Sequence, residues 1–174
     1  MTLYNNKYRT ESNHLKNHDY SSEGDYFVTI CIKNRINLFG VVENRKIIKS
    51  KAGETAEACW KDLNKQFNNV LLGDYVFMPD HMHGIIKINK KSNKSLYDMV
   101  CAFKSKAAIA VNRLENKPGR KLWQDGFYDR IIRGDIEYFF VTEYILNNPL
   151  VYKEGMKEKE WYELFEERNK MKNP

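Results

Sequence analysis

Two stretches of this 174-residue chain repeat apolar residues at intervals of three and four, and each lies between short β-branched runs. In the first, Ala52, Ala56, Cys59, Trp60, Leu63 and Phe67 form one stripe; in the second, Leu96, Val100, Phe103, Ala107, Val111 and Leu114 do. That period predicts amphipathic helices over 52–67 and 95–114. Ser95, with Asp98 three residues on, predicts a capping box, and Lys117-Pro118-Gly119 predicts the end of the second helix. Residues 26–32, 45–49, 74–78, 82–88 and 128–133 read as strands, with a tight connection at Pro79-Asp80 that suggests a hairpin. A third helix is expected from an Asp135 cap to about Asn147, stopped by Asn148-Pro149. Strand, helix, hairpin, helix, strand, helix is an α+β order. Its simplest closure is a ferredoxin-like antiparallel sheet with helices packed on one face.

The length suits one domain with a real core. No run approaches the ~18 apolar residues of a membrane span, and residues 1–24 lack a secretory h-region, so a cytoplasmic protein away from membranes is expected. Cys31, Cys59 and Cys101 are odd in number and widely spaced, which fits neither a zinc pair nor a disulfide framework. Residues 153–174 balance six Lys/Arg against six Glu and read as a charged tail, helical or frayed, after a domain spanning 1–152.

Positive charge is concentrated. Between Ile86 and Lys121 ten basic residues face only Asp98 and Glu115, so this stretch carries +8 while the rest carries −2 of the net +6. Such a concentration suits a polyanion, because each neutralised phosphate releases condensed counterions. A solvated helix face with basic flanks accounts for the charge equally well. Lys87, Lys90, Lys91, Lys94, Lys104 and Lys106, with Arg133, are the candidate phosphate contacts.

His81-Met82-His83 stands in a predicted strand, where residues i and i+2 project from one face, so both imidazoles can meet one ion while Met82 packs behind. Alone the motif is weak, since two surface histidines satisfy it. A histidine-triad phosphoesterase is excluded because position 85 is Ile85. Tyr144 and Asn148, four apart, share one helix face, although a core tyrosine and a helix stop would account for them separately.

Taken together, residues 26–31 (Tyr-Phe-Val-Thr-Ile-Cys), 78–84 (Met-Pro-Asp-His-Met-His-Gly), 122–133 (Leu-Trp-Gln-Asp-Gly-Phe-Tyr-Asp-Arg-Ile-Ile-Arg) and 144–149 (Tyr-Ile-Leu-Asn-Asn-Pro) resemble, in order, the motifs of single-tyrosine HUH transposases. The likeness runs from about Tyr20 to Pro149 and is strongest to the REP-associated tyrosine transposases, relatives of small insertion-sequence transposases. It implies a ferredoxin-like catalytic domain that cuts and rejoins single-stranded, hairpin-bearing DNA through a 5′-phosphotyrosine. It further implies Tyr144 as nucleophile, His81, His83 and Asn148 as ligands of a divalent ion (Mg2+ or Mn2+), and either a monomer or a homodimer. Two imidazoles and an amide suit manganese, cobalt or zinc better than magnesium. Trp123, Gln124, Phe127, Asp129 and Arg133 match a signature read as structural or DNA-facing. Tyr128 is a rival nucleophile without an Asn four residues on. The competing readings are a non-catalytic, domesticated nucleic-acid-binding module on the same fold and a small-molecule phosphohydrolase.

Overall fold

In the computed structural model, residues 15–154 are described. Strands β1 (Gly24–Cys31), β2 (Gly40–Glu43), β3 (Lys46–Lys49), β4 (Val70–Phe77), β5 (His81–Ile88) and β6 (Tyr128–Ile132) alternate with helices α1 (Lys51–Lys61), α2 (Leu63–Gln66), α3 (Leu96–Leu114) and α4 (Gly134–Glu154). The main sheet has the order β4-β5-β1-β6 with every neighbour antiparallel, and β2-β3 forms a separate hairpin. Without that hairpin and the short α2, this is the ferredoxin-like split βαβ arrangement anticipated from the sequence.

The residues of β1 alternate in destination. Tyr26, Val28 and Ile30 join Trp60 of α1, Phe103 of α3, and Met82 and Ile86 of β5 in the main core. Phe27, one step out of phase, joins Ile85, Ile132 and, from α4, Val141, Tyr144 and Ile145 in a second core. Apolar residues on both phases of one strand require cover on both faces. So α1 and α3 occupy one face as expected, while α4 lies on the other, a departure from helices on one face only.

Two helix boundaries also differ from expectation. The predicted 52–67 helix breaks at Asp62 into α1 and α2. The expected stop at Asn148-Pro149 does not occur, and α4 continues through Pro149 to Glu154. A helical proline costs about 3 kcal/mol, but Val141, Tyr144, Ile145, Asn148 and Pro149 are all buried. One buried stripe runs straight across the proline, and its packing outweighs the lost hydrogen bond. The predicted capping box is present: Ser95 Oγ accepts from the Asp98 backbone N–H, and the Asp98 carboxylate accepts from that of Ser95.

Gly84 follows His83 on β5 but faces the main core. A Cβ there would stand 2.7 Å from Cζ2 of Trp60, and that indole is fully buried, edge-on to Phe103 at 5.1 Å. The ring has no room to retreat. Gly84→Ala is therefore expected to cost about 1–3 kcal/mol, read as a lower denaturant midpoint at unchanged m-value. An unmoved midpoint would mean that the core absorbs a methyl here.

Candidate metal and nucleophile site

The histidine-bearing end of β5 begins at a turn tied down on three sides. Met78 N–H donates to the His81 carbonyl at 2.8 Å, Ile32 N–H to the Asp80 carbonyl at 2.9 Å, and Phe39 N–H to the Pro79 carbonyl at 2.9 Å. His81 and His83 then project to the α4 side of the sheet, in phase with Ile85 and, across the register, with Cys31, Thr29 and Phe27 of β1.

Each imidazole has its Nδ1 anchored. His81 Nδ1 lies 2.6 Å from Asp80 Oδ1, and His83 Nδ1 lies 2.8 Å from Thr29 Oγ1. The two Nε2 atoms face each other at 3.1 Å. Two nitrogens bound at ~2.1 Å to one ion at roughly a right angle stand about 3 Å apart, so the pair is spaced as adjacent ligands. Burial pushes the pKa of both rings below that of a free histidine. At His81 the Asp80 carboxylate partly opposes burial, and at His83 the neighbouring His81 adds to it. Neutral imidazoles are what a cation needs. Burial alone would raise the Asp80 carboxyl, but its contacts with His81 and Arg35 outweigh that and hold it below its usual value. A carboxylate behind a ligating histidine fixes tautomer and orientation.

α4 lies along this pair. The Tyr144 ring packs edge-on to His83 at 5.2 Å and to Phe27 at 6.1 Å, and the Tyr152 ring is 5.9 Å from His81. Asn148 sits one helical turn from each tyrosine and so between them, 2 % exposed. Tyr152 Oη donates to Asn37 Oδ1 at 3.3 Å, tying this end of α4 to the segment after β1. Among the described residues, no group of three or more His, Cys, Asp or Glu side chains could hold a metal ion. An ion here would rely on two imidazoles and an amide. Asn148 can take that part, its side chain buried one helical turn from both tyrosines. By donor type and spacing, the residues fit a divalent cation.

The sequence thus brings His81, His83, Tyr144 and Asn148 together, but it gives no sign of Thr29 or Arg35, and Asp80 reads there only as a turn residue. The basic residues are not gathered with them. Lys87 alone of the six lysines shares the histidine phase of β5, at its far end, 3.8 Å from Asp25. Lys104 and Lys106 lie on α3, across the sheet. Lys104 donates to the carbonyls of Gln124 and Gly126 at 2.8 and 2.7 Å, and Lys106 pairs with Asp62. Lys91 pairs with Asp19. Lys90, Lys94 and Arg133 are exposed. The segment around Trp123 and Gln124 does structural work. Trp123 Nε1 donates to the Lys104 carbonyl, Gln124 N–H to that of Cys31, and Tyr20 Oη to Asp129 at 2.5 Å.

Among the described residues, no helix is long and apolar enough to cross a membrane. A protein of Haemophilus influenzae, described as uncharacterized, is 31% identical and aligns over 80% of this chain and 88% of its own length. The solved structure of a REP-associated tyrosine transposase bound to a REP hairpin superposes with a TM-score of 0.62 at 17% identity, over 80% of this chain and 74% of that one. At that identity the likeness is one of fold. Residues 21–148 match the family described as "Transposase IS200 like". That match takes in the strand that carries the paired histidines and the helix that carries Tyr144 and Asn148, and the chain belongs to this transposase family.

Proposed function

We propose that this protein cuts and rejoins single-stranded DNA through a covalent 5′-phosphotyrosine on Tyr144, aided by a divalent cation held by His81, His83 and Asn148. The observation that carries the reading is the facing Nε2 pair at 3.1 Å with the Tyr144 ring 5.2 Å from His83. When bound, the cation supplies Lewis-acid polarisation of the scissile phosphate and offsets its developing charge. The protein supplies position. Phe27, Ile85 and Ile145 confine the Tyr144 ring, so its hydroxyl has little freedom to lose on the way to attack. The tyrosine oxygen forms a bond to phosphorus as the 3′-oxygen leaves, and the phenolic proton ends on the freed 3′-hydroxyl. The reverse attack by a 3′-hydroxyl releases Tyr144 and reseals a strand without ATP, because the phosphodiester count is conserved.

The solved relative carries a REP hairpin, and we extend that ligand to this chain: a folded strand with an adjacent single-stranded cleavage site. The experiment incubates the full chain with end-labelled hairpin oligonucleotides from its flanking genome, with Mn2+ or with EDTA. A protein–DNA adduct is expected with Mn2+, mapping by mass spectrometry to the peptide containing Tyr144, and none with EDTA. Hairpin binding without any adduct would point to a non-catalytic DNA-binding module.

A further inference from the structure

The turn that leaves β1 is strained and well connected. Asn34 and Arg35 both lie in the left-handed region, with φ of 58° and 53°, a conformation that Asn tolerates but that Arg keeps mainly where the surroundings enforce it. Arg35 uses it to reach two groups. Its Nε donates to Asp80 Oδ2 at 2.7 Å, and its Nη1 donates to Cys31 Sγ at 2.9 Å. The other oxygen of Asp80 is the one 2.6 Å from His81 Nδ1. We propose that Arg35 is a positioning residue: its guanidinium fixes the Asp80 carboxylate, which holds His81 with its proton on Nδ1 and Nε2 turned to His83.

The contact with Cys31 does not account for the arginine. Asp80, not the Cys31 thiol, is the partner with which Arg35 forms an ion pair. The Asp80 side chain is 7% exposed. Without Arg35 this buried carboxylate would lose the contact that fixes its second oxygen and would be free to swing away from His81. Losing that anchor frees His81 to exchange tautomers and turn its lone pair away. A lysine keeps the charge but not the planar fork that reaches Asp80 and Cys31 at once.

This inference rests on reading His81 and His83 as an ion-binding pair, so its test has one readout that needs neither ion nor DNA. In the metal-free full chain, 15N-edited NMR of the histidine rings should give His81 as the Nδ1–H form in wild type and as a mixture in Arg35→Gln. Mn2+ titration followed by EPR should show Kd raised about tenfold in Arg35→Gln and by less in Arg35→Lys. If Arg35→Gln fails to fold, Arg35→Lys carries both comparisons. A purely structural role would lower Tm and leave the tautomer alone. An unchanged His81 tautomer and unchanged Kd in a folded variant overturn the proposal. Wild-type protein that binds no Mn2+ would sink the ion-site reading, while the tautomer would still decide the role of Arg35.

Discussion

Replacing Tyr144 by Phe is expected to lower strand cleavage by at least about 10⁴-fold, the scale on which removal of a nucleophile is felt, with the fold intact. The substitution removes one oxygen and keeps the ring that packs on Phe27 and His83. Tyr128 is the control. It is exposed on β6, opposite Thr29 and on the same face of the sheet as His83. It is nonetheless two strands from β5, about 10 Å of sheet width, whereas the Tyr144 ring touches His83. Tyr128→Phe should therefore retain cleavage. Denaturing gels for the covalent adduct read both variants side by side. An adduct that survives Tyr144→Phe and disappears in Tyr128→Phe would move the nucleophile to the sheet edge.

The half of the candidate site that rests on local periodicity is legible in the sequence. His81 and His83 share a face because side chains alternate along a strand, and Tyr144 and Asn148 share one because a helix repeats near every fourth residue. Asp80, Thr29 and Arg35 were not legible as site residues, because their roles depend on register and loop path. Thr29 reaches His83 only because β1 pairs with β5 so that those two residues stand opposite each other. Nothing local distinguishes it from the neighbouring strand residues. Arg35 reaches Asp80 from a left-handed backbone conformation that local propensity does not predict for an arginine.

The misread features share a cause, which is that tertiary packing overrides local signals. Asn148-Pro149 is a sound helix-stop signal, but the signal weighs only the backbone, and the buried stripe from Val141 to Pro149 holds the helix on. A sheet with helices on one face is the simplest closure of the predicted element order, and the two clear amphipathic stripes belong to α1 and α3. α4 is apolar on several sides and gives no such stripe, and only the second apolar phase of β1, through Phe27, betrays the face it covers. Charge density along the chain is likewise not charge density in space. Lys104 lies across the sheet from the histidines and holds a loop through two carbonyls, with burial lowering its pKa.

His81→Ala and His83→Ala are each expected to abolish stoichiometric Mn2+ binding and to bring cleavage to the level of the EDTA-treated protein, yet they should differ in stability. The His83 ring stacks on Phe27 at 5.3 Å with an 18° interplanar angle and meets Tyr144 on another side. Truncating it opens a cavity in the second core and removes the partner of Thr29, for a loss of about 2–4 kcal/mol. His81 stands at the start of β5, where its ring neighbours are His83 and Tyr152 rather than Phe27 and Tyr144. Its removal leaves Asp80 still paired with Arg35, so the carboxylate keeps a charged partner and the cost should be smaller. Chemical denaturation in EDTA measures the stability difference, and Mn2+ titration measures the loss common to both. Equal stabilities would mean that the second core closes over the missing ring. Cleavage lost with ion binding intact in His83→Ala would make that histidine a DNA contact and leave the cation without a paired imidazole site.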